Sequence, residues 1–158
     1  MSTQNIIQYL ETSQYNALPS GGTTSVGVGA MNRRQVETFI AAEAIAANDL
    51  VSLDLSKTGD GDKGIYIVKA DTGTATDKCA IGFALNGATA AGETVDVTVA
   101  GIHVAANVAT IGAGASLCVG STAGRASIYT NTDVVPIIAI SAESDTDNVA
   151  TVFVIKQF

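Results

Sequence analysis

The groups that could do chemistry in this chain are few and far apart. One histidine, His103, stands between Ile102 and Val104 in an alternating run. A strand there sends its ring to the face opposite those two neighbours. No Ser/His/Asp or Cys/His arrangement can be assembled around it, so proton transfer and nucleophilic attack lack a set of partners. The expectation is a surface or hydrogen-bonded histidine in a protein that is not an enzyme. Two acidic loops, Thr58-Gly-Asp60-Gly-Asp62-Lys-Gly64 and Glu143-Ser-Asp145-Thr-Asp147-Asn148, space carboxylates two apart as oxygen-ligand calcium sites do. Both lack the full loop pattern and the distal bidentate Glu, and Asp-Gly steps are ordinary turn formers. Gly112-Ala-Gly114 does not join a strand to a helix with phosphate-binding spacing. No metal and no cofactor is therefore expected. Cys79 and Cys118 are read as reduced, buried thiols, the usual state in a cytoplasm.

The elements that would hold such groups are more informative. An apolar run (Ile81, Phe83, Leu85) passes through a small polar loop into a strictly alternating one (Val95, Val97, Val99), and a shorter echo follows at Ile138, Ile140, Ala142, an acidic turn and Val149 to Ile155. Ahead of the first hairpin sits Ile45-Ala-Ala-Asn-Asp-Leu-Val-Ser-Leu53, and ahead of the second Ile111-Gly-Ala-Gly-Ala-Ser-Leu-Cys-Val119. Each is followed by a Gly-containing loop and an Ile-Tyr step, Ile65-Tyr66 and Ile128-Tyr129. Two related β-units are expected, over about residues 44–104 and 110–158.

Composition agrees with this. A chain of 158 residues that is 47% hydrophobic can build one ordinary core. Aromatics make up only 5%, so Val, Ile, Ala and Thr must do the packing, and with 16 glycines and short turn-bounded runs they favour strands. Alanines between Phe39 and Asn48 would suit a helix, but the corresponding stretch from Ile111 to Ala115 is too rich in glycine for one. The fold expected is all-β: a small barrel or sandwich from two related β-units, with an extended N-terminal arm. Strand alternation serves both architectures equally.

The formal charge is −7, and Glu11, Glu37, Arg33 and Arg34 cancel within the first 42 residues, so the excess lies in the β-rich remainder. An acidic body repels phosphate backbones, so no nucleic-acid partner is expected. No apolar run reaches membrane-spanning length, and the N-terminus lacks a secretion-signal pattern; synthesis in a cytoplasm and no membrane partner are expected. Residues 1–35 differ from residues 36–158. Ile6, Ile7, Tyr9, Leu10, Tyr15 and Leu18 stand in an otherwise polar stretch that ends in Leu18-Pro-Ser-Gly-Gly-Thr-Thr-Ser25. Such side chains suit anchors on another subunit or a partner surface, making this segment an arm.

The order Ala44-Ile-Ala-Ala-Asn-Asp-Leu-Val51, Cys79-Ala-Ile-Gly-Phe-Ala-Leu85, Ala91-Gly-Glu-Thr-Val-Asp-Val-Thr-Val-Ala-Gly-Ile102 and Ile111-Gly-Ala-Gly-Ala-Ser-Leu117 resembles the small capsid-stabilising proteins of tailed bacteriophages, also called head decoration or cement proteins. The likeness covers about residues 40–158. It is densest at Ile81-Gly-Phe-Ala-Leu85 and Gly92-Glu-Thr-Val95. The resemblance implies a virion protein without catalysis that sits on the outer capsid surface as a homotrimer and bridges subunits of the major capsid protein. A different class is the alternative: a carbohydrate- or receptor-binding module, which would need stacking aromatics beside polar groups. The body offers Tyr66, Tyr129, Phe83 and Phe153 for that, with Phe83 and Phe153 expected in the core. A small hydrolase using a loop carboxylate pair ranks last.

Overall fold

The computed structural model describes residues 34–59, 61–62, 64–73, 79–130 and 135–155. All but Arg34 belong to one unit, Gln35–Phe158. The proposed arm anchors Ile6, Ile7, Tyr9, Leu10, Tyr15 and Leu18 lie outside the described residues, as do Asp60 and Lys63. Among the described residues there are nine strands and no helix: β1 Gln35–Ala41, β2 Leu50–Leu53, β3 Tyr66–Lys69, β4 Ala80–Ala84, β5 Thr94–Asn107, β6 Ser116–Val119, β7 Ala126–Ile128, β8 Ala139–Ser141 and β9 Val149–Val154. The alanines after Phe39 lie in β1 and the turn that follows it, not in a helix.

The strands run in the order β1-β3-β2-β4-β5, and β5 pairs with β1, which closes a five-stranded barrel. Only β1 and β3 are parallel in this ring. Alternation sets its inner face: Val95, Val97 and Val99 point inward with Phe39, Ala41, Ile45, Val51, Ile67, Ile81 and Ala84, while Thr94 and Asp96 face solvent.

The 14-residue strand β5 does not stop where the barrel ends. Ala100 is its last residue paired with β1, and Gly101 is its first paired with β9. Gly101 has φ 90, a conformation that costs a residue with a Cβ about 1 kcal/mol or more. It lets one strand leave the first ring and enter a second sheet, ordered β5-β9-β8-β6-β7. That sheet curls until Val108, immediately after β5, meets Ala126 of β7 in a parallel bridge.

The two halves thus share one pairing scheme. The second half of β5 takes the place of β1, β6 that of β2, β7 of β3, β8 of β4 and β9 of the first half of β5. Individual hydrogen bonds follow suit. Ala42 N–H donates to Ile67 O at 2.8 Å, and Ala109 N–H to Ala126 O at 2.7 Å. The Asn86 side chain accepts from Asp96 N–H at 2.7 Å, and Glu143 accepts from Thr151 N–H at 2.8 Å. The register differs from the sequence pattern at one place: Leu53 pairs with Ile67, and Val119 with Ala126, so Ile128 stands where Lys69 does and the two Ile-Tyr steps are not equivalent.

The second unit builds its core partly on the first. Its inward residues, among them Ala106, Val108, Leu117, Ile138, Val152 and Val154, form one cluster with Leu50, Ala70, Ala80 and Phe83 of the first barrel. The outer wall of one barrel is therefore an inner wall of the other.

Candidate functional site

Between the two units lies a polar constellation with His103 at its centre. The ring is fully buried. It stacks on Phe83 with centroids 5.3 Å apart, and its Nδ1 and Nε2 lie 3.1 Å from Thr98 Oγ1 and 3.2 Å from Asn48 Oδ1. An amide oxygen only accepts, so Nε2 donates to Asn48; in the neutral ring Nδ1 then accepts from the Thr98 hydroxyl. Beside it the buried Asp49 carboxylate accepts from Ala46 N–H and from the Asn107 amide, both at 3.0 Å, and Asn107 Oδ1 in turn accepts from Arg125 Nε at 3.1 Å. Backbone bonds reinforce the seam: Asn107 N–H to Asn48 O at 3.0 Å and Leu50 N–H to Gly124 O at 2.7 Å. Every polar atom named here is turned to another protein group, the arrangement of a structural joint.

The acidic loops have a similar explanation. Asp145 Oδ1 accepts from Ile111 N–H at 2.7 Å and Glu143 Oε1 from Thr151 N–H. Asp147 and Asn148, with φ 53 and 64, form the two-residue turn of a hairpin that Thr146 and Val149 close with reciprocal backbone bonds. The Asp145 and Glu143 carboxylates are spent on backbone N–H groups, and no cluster of three metal-ligating side chains occurs among the described residues. In the other loop, Asp62 N–H bonds Gly59 O at 3.0 Å and Ile65 N–H bonds Asp62 O at 3.2 Å, a plain turn.

Two readings of single residues change. Cys79 is exposed, because it precedes β4 rather than belonging to it; Cys118 is buried, and the two are not joined in a disulfide. Phe153 is 51% exposed rather than in the core, since its neighbours Val152 and Val154 take the inward positions of β9 and leave it on the outer face. Tyr66 is half-buried beneath the Lys57 ammonium, 4.6 Å from the ring centre. Phe83 is in the core as expected.

What sequence reasoning missed is an outward apolar face on the second unit. Phe153 pairs with Ile102 on one side and Ile140 on the other, and Val104 follows Ile102 on the same face. Ile140 is 41% and Val104 47% exposed. The signal was available in strand parity, since 102, 104 and 153 alternate with the inward residues His103, Val152 and Val154.

The fold and these surfaces define an all-β protein whose first unit is a closed five-stranded barrel and whose seam is structural. Among solved structures, the chain is similar to the N base of head fiber gp8.5 in bacteriophage phi29, with a TM-score of 0.51 and 20% sequence identity over 77% of this chain and 94% of that one. At that identity the likeness is one of fold. No protein-family model and no curated protein matches the chain. No helix among the described residues is long and apolar enough to cross a membrane.

Proposed function

We propose that this chain is a non-enzymatic virion structural protein that attaches to the outer surface of a phage head as a homotrimer and bridges neighbouring major capsid subunits. The observation that carries this reading is the shared fold with a phage head fiber base, which spans nearly all of that structure and over three quarters of this chain. The sequence resemblance to capsid-stabilising proteins covers about residues 40–158. The site chemistry supports it: the single histidine and the buried carboxylate serve a joint between two β-units, and the loop carboxylates hold turns. Many copies on a lattice turn a modest contact into firm attachment, because linked binding events multiply. An acidic exterior keeps such a particle soluble.

The glycan-binding alternative has less to stand on. The Tyr66 face is occupied by Lys57, Phe83 is buried, and Phe153 has isoleucines as its cross-strand partners rather than polar groups. Co-sedimentation of the purified full-length protein with purified phage heads tests the proposal. Saturable pelleting with heads is expected. Protein that stays in the supernatant at every ratio, together with strong glycan-array binding lost on changing Tyr129, would replace it with the alternative.

A further inference from the structure

The connection between β4 and β5 holds the one Asn followed by Gly in the chain, Asn86-Gly87. Each half of the pair has its own structural reason. The exposed Asn86 bridges to β5: its Oδ1 accepts from Asp96 N–H at 2.7 Å and its Nδ2 donates to Thr94 O at 3.1 Å. Gly87 packs on the chain ahead of β2, where an added Cβ would lie 3.1 Å from Ile45 O and 3.3 Å from Ala47 N. Side by side, the two are also reactants. The Gly87 N–H finds no acceptor among the described residues, and no side chain hinders its nitrogen from closing a ring on Asn86 Cγ. The other described asparagines, Asn48, Asn107 and Asn148, are followed by the bulkier Asp49, Val108 and Val149.

We propose that Asn86 is a self-modifying site, converted to an acid in the folded protein by attack of the Gly87 backbone nitrogen. That nitrogen loses its proton to solvent base and bonds to Asn86 Cγ. The Cγ–Nδ2 bond breaks, Nδ2 takes up a proton and leaves as ammonia, and a cyclic imide joins the two residues. Water then adds to an imide carbonyl. Opening of the Cγ–N bond yields aspartate, and opening at the backbone carbonyl yields isoaspartate, with the chain running through the side chain. The hydrogen bonds already in place serve this path. Asp96 N–H points at Oδ1, the oxygen that gains negative charge as Cγ is attacked, so the developing charge meets a placed donor. Thr94 O holds the nitrogen that departs. The aspartate product has a precedent in the second unit, where the carboxylate of Glu143 accepts from Thr151 N–H in the matching place. The bond to Thr94 O is lost, and the new charge stands near the Asp96 carboxylate, so the turn becomes more acidic and less firmly tied. The reaction belongs to this turn alone and is independent of head binding and self-association.

The test holds full-length protein in mildly alkaline buffer, native and in urea, and follows it by isoelectric focusing and by peptide mapping with mass spectrometry. Asn86→Gln, whose longer side chain closes a less favoured ring, is the control. Asn86→Asp marks where the product should run, and far-UV circular dichroism checks that both variants fold. Native wild type should shift by one acidic step to the position of Asn86→Asp, with the acid mapped to residue 86, while Asn86→Gln stays in place. The mapping of wild type stands without either variant. Conversion in urea alone, or a native rate more than about tenfold below the unfolded one, shows that the two hydrogen bonds protect the carboxamide and overturns the proposal. An acid mapped to another asparagine, or an equal shift in Asn86→Gln, overturns it as well.

Discussion

The imidazole of His103 and the ring of Phe83 lie 5.3 Å apart at 28°, one rising from the second unit and the other from the outer wall of the first barrel. The contact is both apolar and directional, because Thr98 and Asn48 fix the two ring nitrogens while the ring faces meet.

Replacing His103 by Leu keeps much of the apolar area and strands two polar partners, the buried Thr98 hydroxyl and the half-buried Asn48 amide. The expected cost is about 2–4 kcal/mol, read as a lower urea midpoint with an unchanged slope. An unaltered midpoint would show that the seam contributes nothing to cohesion.

Two backbone substitutions should have opposite effects. A Cβ at Gly82 would lie 2.0 Å from the Thr98 carbonyl oxygen, in the wall that faces the second unit, so Gly82→Ala should cost more than about 3 kcal/mol or prevent folding. Ala105 has φ 66 at the bulge where β5 loses register with β9. Ala105→Gly should stabilise by about 0.5–1 kcal/mol, measured as a rise in melting temperature.

Acid should weaken the fold through its turn carboxylates. Hydrogen bonds from Thr151, side chain first and N–H second, hold the Glu143 carboxyl below its ordinary 4.5, and the Thr89 N–H and then its hydroxyl do the same for Glu93. A folded-state value below the unfolded one contributes stability that is complete above 4.5 and is lost as pH falls through the folded value. The melting temperature should fall below that pH. Combined Glu93→Gln and Glu143→Gln should flatten the decline, and an identical acid profile would remove these two groups as its cause.

The cysteines should react at separate times. Cys79, exposed ahead of β4, should be labelled by an aromatic disulfide reagent in the native protein, and Cys118, 2% exposed, only on unfolding. Two fast thiols would contradict the packing around β6.

Deleting residues 1–20 should leave the melting temperature of the β-body nearly unchanged, because the nine described strands all lie within residues 35–154, and should weaken co-sedimentation with heads. Loss of folding would make that segment part of the core.

The sequence announced strands and turns through alternation at Val95, Val97 and Val99 and through the echo of the hairpin. Alternation fixes which side chains share a face, but not which face a second layer will cover. Thr98 and Phe153 occupy equivalent places, and one is buried and the other exposed for reasons outside their own strands. Phe153 was expected in the core, whereas parity already puts Val152 and Val154 inside. The parallel pairing of β1 with β3, which separates barrel from sandwich, joins residues with no local signal between them. The seam around His103 was hidden for the same reason, since Asn48 is 55 residues away along the chain.

A strand common to both rings also makes the molecule mechanically continuous. Tension entering along β1 crosses to β5 through lateral backbone bonds, runs past Gly101 as unbroken covalent chain, and leaves through the bonds to β9. Pulled along that axis, the lateral bonds are sheared together and resist as a group. Pulled at β7, the load falls on the Val108–Ala126 bridge and the short ladder to β6, which are peeled one bond after another. Strand geometry of this kind predicts a protein stiffer along β5 than across β7, so that the way it is seated under load decides how much force it withstands.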